Sequence, residues 1–415
     1  MALTYPTTQT LTGAQYALKV RYLGTIRKQF NESTVFFTKL GKRVEPVSGK
    51  SFTIAHHTAG NISAGIGRGD GIALPAAGSQ TILNSIVPNS YQYGSIRITG
   101  PTIAATRDSV GSFANMLEFE VDNLLKNMKR SFNRQFHSDG TDALGYLTAA
   151  CDGAGANYTI DDNRGNAFVH LPAGTAVTVD VIDTTDDTTK VLDSGTVTLG
   201  AKGATSYAAT TTGTTGSSGD GDYIVFEDTL GSQMMGLQGI VAAVDPPLGA
   251  LQGLAVASYP WWKAQVNSNG GTNRAFDFAD LQSVIDDIAS LTNYSESDID
   301  LLLTNFPVRR EYYKTCIVER RHVNTMDLDG GFKALDFNGI PFVADSQCAR
   351  NRIYVLSMKS MSLVRSSDFE WMDKDGSYLS REAGYDAYGA TLFHYGNLMT
   401  WDRNANGLYT DILES

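Results

Sequence analysis

Residues 93–137 read YGSIRITGPTIAATRDSVGSFANMLEFEVDNLLKNMKRSFNRQFH, and a change of period inside this stretch decides the fold class. Ser95-Ile96-Arg97-Ile98-Thr99 alternates apolar and polar residues, the pattern of a half-buried strand. From residue 109 the period lengthens. Phe113, Met116, Leu117, Val121, Leu124, Met128 and Phe132 fall on one stripe, which predicts a helix over 109–137. Asp108 or Ser109 can cap its start. Glu118, Glu120 and Asp122 precede Lys126, Lys129, Arg130 and Arg134, the order a helix dipole favours. At ~1.5 Å per residue the helix would be roughly 40 Å long, a spine for other elements. Its basic half has two readings: a face turned toward nucleic acid, or a solvated flank that complements the dipole.

Upstream, Lys50-Ser51-Phe52-Thr53-Ile54 alternates in the same way, as does Tyr91-Gln92-Tyr93. Between them lies GNISAGIGRGDGIALPAAGSQ, rich in glycine and without helical period. Two strands around a long tip predict an extended hairpin over residues 44–100, with about 25 residues per arm and a reach of at most ~80 Å. A two-stranded ribbon is marginal in water by itself, so a neighbouring subunit must supply the surface it lies on. Before the hairpin, residues 1–43 read as an arm with a short helix on Tyr16, Val20 and Leu23, flanked by Lys19, Arg21, Arg27 and Lys28.

Downstream, residues 157–230 shift to Thr, Gly, Asp and Val. Residues 175–181 and 195–199 alternate as strands around a turn at Thr184-Thr185-Asp186-Asp187, and Tyr223-Ile224-Val225-Phe226 is a further strand. This is a β-rich module. An amphipathic helix follows at 277–292 with Leu281, Val284, Ile285, Ile288 and Leu291 on one face. Leu301-Leu302-Leu303-Thr304 reads as a buried strand, and Pro307 opens a helix carrying Arg309, Arg310, Lys314, Arg320 and Arg321. Strands at 340–344, 352–356 and 361–364 complete a mixed order with no strict βαβ period, so the class is α+β.

A chain of 415 residues exceeds one core and predicts two or three subdomains. The formal charge of −11 argues against electrostatic gripping of nucleic acid as the main task. No apolar run is long enough for a membrane span, and the opening residues show no secretory signal. Cys151, Cys316 and Cys348 are far apart, which fits buried, inert thiols.

Motifs for chemistry fail at specific positions. Gly65, Gly67, Gly69 and Gly71 resemble a dinucleotide loop, but Asp70 stands where its third glycine belongs. Gly49-Lys50-Ser51 ends like a phosphate loop, but Val44 stands where its first glycine belongs. Arg68-Gly69-Asp70 spells an adhesion tripeptide, and a salt-bridging tip explains it better. His56 and His57 are adjacent on a strand and point to opposite faces. Asp161-Asp162 and Asp186-Asp187 do not match a calcium loop. No nucleophile elbow or paired carboxylate stands out, so no catalytic residue, metal site or cofactor is expected.

The order of arm, hairpin, spine helix, mixed body and strand-rich end resembles the major capsid proteins of tailed bacteriophages with the Hong Kong 97 fold. The residues that carry the likeness are GIALPAAGSQ at the tip, YGSIRITGPTIAATRDS leading into the spine, GLQGIVAAVDPP with SYPWWKAQV, and FNGIPFVADSQCARNRIYVLSMKSMSLV with GYDAYGATLFHYGNLMTWDRNANGLYTDI near the end. In that frame 1–43 is the N-terminal arm and 44–100 the extended hairpin loop. Residues 101–156 begin the peripheral domain with its spine, and 157–230 are an insertion. Residues 231–330 form the peripheral and axial body, and 331–415 the axial domain with the C-terminal strands.

The resemblance implies hexamers and pentamers closing an icosahedral shell around double-stranded DNA, with weak non-specific DNA contact. It implies a portal protein, allows a decoration protein, and has no membrane role. Arg68, Asp70, Leu74 and Pro75 would form the intersubunit tip. Phe113, Leu117, Val121, Leu124 and Met128 would form the core face of the spine. Lys126, Lys129, Arg130 and Arg134 would form a basic face open to the lumen. The hairpin begins near residue 44, leaving no long scaffolding segment in this sequence, so a separate scaffolding protein is expected. No lysine lies between Lys50 and Lys126, so the tip cannot supply a covalent cross-link. An encapsulin-type nanocompartment and a secreted β-rich adhesin are the alternatives.

Overall fold

The computed structural model describes residues 35–40, 44–46, 49–106, 116–147, 157–161, 176–184, 191–202, 206–211, 222–318, 325–328, 332–372 and 379–414. The arm helix around Tyr16, Phe113 of the spine stripe and Cys151 lie outside them.

The C-terminal half is built on a seven-stranded mixed sheet. Its order is Gln265–Asn267, Gly407–Thr410, Arg352–Leu356, Leu301–Thr304, Ile340–Ala344, Phe332–Phe337 and Thr325–Leu328. Leu301–Thr304 is buried along its whole length because both faces are covered. Leu302, Phe342, Ile353 and Val355 face the helices Phe278–Leu291 and Phe306–Val318, while Leu301, Leu303, Tyr354 and Leu356 face the core around the spine. The first helix is capped by Asp277, whose side chain accepts from the Ala279 amide at 2.8 Å.

A second sheet of five strands joins segments from the first hundred residues to strands after residue 360. Val44–Pro46 runs parallel to Met361–Trp371, which pairs with the long strand Ala387–Thr400. That strand also pairs with Ser380–Arg381 and, along its other edge, with Ser90–Thr99. The sequence placed C-terminal strands within 331–415 without bounds for Ala387–Thr400 and Gly407–Thr410, where glycines break up the apolar pattern.

The spine is the helix Met116–Phe136, preceded by a separate short helix, Gly100–Thr106, that the sequence did not reveal. The spine crosses Ser90–Thr99 at Gly94, where a Cβ would come within 2.9 Å of Met128 Sδ and 3.1 Å of Leu124 Cδ1. Phe132 packs between Phe369 (5.0 Å) and His394 (4.7 Å), and Phe136 meets Phe36 of the short helix Val35–Leu40 at 6.1 Å.

The hairpin is shorter than expected. Its paired arms are Ser51–Ala59 and Thr81–Pro88. Residues 91–99, expected as its return arm, belong instead to the five-stranded sheet. Pro88 has no amide to continue the ladder. Asn89 then anchors the turn, donating to the Gly49 carbonyl at 3.1 Å and to Ser366 Oγ at 2.7 Å.

The β-rich module is a closed six-stranded antiparallel barrel: Gly145–Leu147, Asn157–Asp161, Ser206–Thr211, Val191–Lys202, Ala176–Ile182 and Tyr223–Phe226, the last pairing back to the first. It starts at Gly145, a dozen residues before the expected boundary, because a three-residue strand carries too little pattern to be seen. Entry and exit strands are neighbours, with Tyr146 opposite Tyr223. Closure leaves no free sheet edge.

Candidate assembly surface

The hairpin root is held firmly. Strand alternation turns Ile54 and Val87 inward, where they pack with Val364 and Met399. Phe52 meets Trp401 edge-on at 5.9 Å. Next to them, Ser85 Oγ donates to Gln252 Oε1 at 3.3 Å and lies 2.8 Å from His56 Nε2. The His56 ring sits 5.2 Å from Trp262, and burial holds its pKa below the ordinary value. His57, one residue on, is exposed and bonded to Gln80 at 2.6 Å, so the two imidazoles occupy opposite faces.

Beyond the root the hairpin presents apolar side chains to solvent. Ile62 is 87% exposed, Leu74 86% and Ile82 66%, with Ile66, Ile72 and Ile86 also exposed. Pro75 is half-buried. Gly65 and Gly71 carry the chain through φ of 78° and 77°, and Asn61 braces the tip by accepting from the Ser63 amide and hydroxyl. Arg68 and Asp70 are exposed and have no ion-pair partner among the described residues. The hairpin thus combines an anchored root with a tip of exposed apolar side chains.

The spine does not offer one basic face. Lys126 pairs with Asp122 at 2.5 Å and Lys129 is exposed. Arg130 is half-buried, and burial with the neighbouring Arg134 lowers its pKa. Arg134 pairs with the buried Asp142 at 2.6 Å and rests 5.6 Å from the Phe226 ring. The expected lumen-facing set therefore loses Arg134, which fastens the spine to the barrel's entry and exit. On the apolar side Met128 is buried, and Val121 and Leu124 are half-buried. The side chain of Leu117 lies outside the described residues.

Two buried polar centres were not legible in the sequence. Arg403 is fully buried and donates to the carbonyls of Ile240 (2.8 Å), Trp262 (3.2 Å), Gly239 (3.0 Å) and Val244 (2.6 Å). Burial brings its pKa down to about 10, with Asp245 opposing. Asp345, also buried, accepts from Asn133 at 3.1 Å and from the Gln347 amide at 2.9 Å, with His137 Nε2 at 3.7 Å. Burial works against its charge, but His137, the Gln347 amide and Asn133 outweigh it and hold the carboxyl below the ordinary range. Cys316 and Cys348 are buried, and burial pushes the Cys348 thiol far up.

No family model and no curated protein matches the sequence. Solved structures do match in fold. The capsid asymmetric unit of cyanophage A-1(L) is similar over 96% of this chain and 98% of its own, with 12% identity and a TM-score of 0.59. The capsid of an empty GTA particle is similar over 98% and 99%, with 11% identity and a TM-score of 0.53. The holo-SrpI encapsulin complex from Synechococcus elongatus PCC 7942 is similar over 98% and 96%, with 8% identity and a TM-score of 0.50. The fold is that of phage capsid shells, the Hong Kong 97 type expected from the sequence.

Proposed function

We propose that this chain is the major capsid protein of a tailed bacteriophage, assembling as hexamers and pentamers into an icosahedral shell around double-stranded DNA. The observation that carries the proposal is the hairpin: a root locked into the core and a tip whose apolar residues are exposed among the described residues. Burying Ile62, Ile66, Ile72 and Leu74 on a neighbour would stabilise a contact by roughly 6 to 12 kcal/mol as an upper limit. The shell role is structural and not enzymatic. Arg68 and Asp70 would pair across the contact, and Pro75 would stiffen it.

A separate scaffolding protein and a portal complete the assembly in the host cytoplasm, and the mature protein resides in the virion. Contact with DNA is weak and not sequence-specific, in keeping with the charge of −11 and the internal pairing of Lys126 and Arg134. With no lysine at the tip, the shell would hold without hairpin cross-links.

The fold likeness to the SrpI encapsulin supports a second reading, a nanocompartment enclosing protein cargo. Electron microscopy of purified particles, with nuclease-protected DNA assayed in the same sample, separates the two. Shells holding protected DNA support the capsid reading. Shells with co-purifying protein and no DNA support the compartment. Ile62→Asp with Leu74→Asp should abolish capsomers while leaving the monomer's melting temperature unchanged, and normal assembly of that variant would refute the tip's role.

A further inference from the structure

The seven-stranded sheet carries its two long helices on one face. Phe278–Leu291 lies over the edge formed by Gln265–Asn267 and Gly407–Thr410, and Phe306–Val318 lies over Ile340–Ala344, three strands further along. Their inward sides make one core, where Phe278, Leu281, Ile285 and Ile288 join Val308, Tyr312 and Cys316. Their outward sides are unusual in opposite ways.

On Phe306–Val318, Phe306, Arg310, Tyr313 and Ile317 recur at spacings of four, three and four, which places them on one stripe. All four are exposed, Ile317 to 57%. Arg309 rests 5.1 Å from the Phe306 ring, so two arginines crowd the N-terminal end, and the first turn holds no acidic residue. A helix N-terminus is already positive, so this placement is unfavourable within the monomer.

On Phe278–Leu291 the signs reverse. Asp286 and Asp287 are exposed in its second half, and its last turn holds no basic residue. Leu291 at that negative end is 65% exposed, and exposed Glu296 follows. Each helix thus exposes, in the half nearer one end, charges of the sign that end's dipole disfavours, beside exposed apolar side chains, although Asp280 in the first turn of Phe278–Leu291 suits its dipole.

We propose that these are the two halves of one heterologous contact between neighbouring copies of this chain. The Arg309–Arg310 end of one copy sits on the Asp286–Asp287 end of the next, and Tyr313 and Ile317 cover Leu291. Docking places each charge against the opposite charge and the opposite dipole end. A contact between two different patches repeats from copy to copy and closes a ring where its rotation divides a full turn, as capsomers require. The proposal rests on the shell reading and adds the surface that selects the neighbour. A nucleic-acid role for the arginines would leave the matching acidic end and the exposed Ile317 without a function.

The test is a charge swap in the full-length chain: Arg309→Glu with Arg310→Glu, Asp286→Lys with Asp287→Lys, and all four together. Capsomer formation is followed by sedimentation velocity and electron microscopy, folding by thermal melting, and DNA retention at low salt in parallel. Each pair of reversals should lower the capsomer fraction about tenfold while the monomer's melting temperature stays the same or rises slightly, because the reversal suits the helix dipole. The fourfold swap should restore it to within about threefold of the parent. Normal capsomers in either pair variant, or no recovery in the fourfold swap, overturns the contact. Loss of DNA retention with intact capsomers overturns it in favour of nucleic acid. A parent chain that forms no capsomers under any condition refutes the shell reading itself, a result distinct from failure of this contact alone.

Discussion

Arg134 Nη2 lies 2.6 Å from Asp142 Oδ2, and this pair joins the last turn of the spine helix to the segment that enters the barrel. Asp142 is almost wholly buried and sits at φ 53°, an uncommon conformation for a residue other than glycine. Removing only the cation takes the Arg134 partner from a buried carboxylate. Arg134→Ala should therefore cost about 3 kcal/mol, and Asp142→Asn in the same chain should recover part of the loss. Denaturant unfolding of the two single variants and the double variant measures the coupling. Additive losses would show that the pair is incidental.

Arg403 poses a larger demand. Its guanidinium donates to four carbonyls of the 239–262 segment. Arg403→Met keeps much of the volume but orphans those acceptors. We expect a loss of about 3 to 5 kcal/mol, or failure to fold, read by urea unfolding of soluble protein. Arg403→Lys should recover little, because one ammonium cannot reproduce the fork.

His394 is buried between Phe132 and Phe369, and burial brings its pKa down to about 4. In the unfolded chain the ring titrates near 6.5. Between these values the unfolded state binds the extra proton, so stability is full above about pH 6.5 and falls as pH drops toward 4. The span corresponds to about 3 kcal/mol at most. His394→Phe should flatten that slope in melting experiments between pH 7 and 4. An unchanged slope would assign the acid sensitivity to other groups, among them His56.

The barrel meets the rest of the chain through neighbouring strands. Leu144 donates to the Ile224 carbonyl at 2.8 Å and Leu147 to the Asp222 carbonyl at 2.7 Å. Replacing residues 148–221 by a two-residue Asn-Gly turn should close Gly145–Leu147 and Tyr223–Phe226 into a hairpin. The small cluster of Ala143, Ile182, Tyr223 and Val225 is separate from the main cores, so the shortened chain should keep its folded core and its ability to form capsomers. Loss of assembly with retained folding would make the barrel an intersubunit element.

Much of this architecture was legible from period alone. The apolar runs at 223–226, 340–344 and 352–356 match the strands Tyr223–Phe226, Ile340–Ala344 and Arg352–Leu356 residue for residue. The apolar stripe at 277–292 matches Phe278–Leu291 within a residue at each end. Side-chain period reports which face is buried, and burial is decided locally by 2.0 or 3.6 residues per repeat.

Partnership was not legible, and the candidate surface depended on it. The strand at 90–99 looks the same in sequence whether it completes a hairpin or joins Ala387–Thr400, because ladder hydrogen bonds use backbone groups that every residue shares. The likeness of the tip residues to a capsid loop came from the sequence, but the division into a buried root and an exposed tip came from Val364, Met399 and Gln252, far along the chain. The basic run of the spine read as one face until Asp142 claimed Arg134. Local periodicity was thus determined by the residues themselves. The tertiary structure decided which backbone edges met and which charges were spent inside, since those choices depend on groups brought together only when distant segments pack.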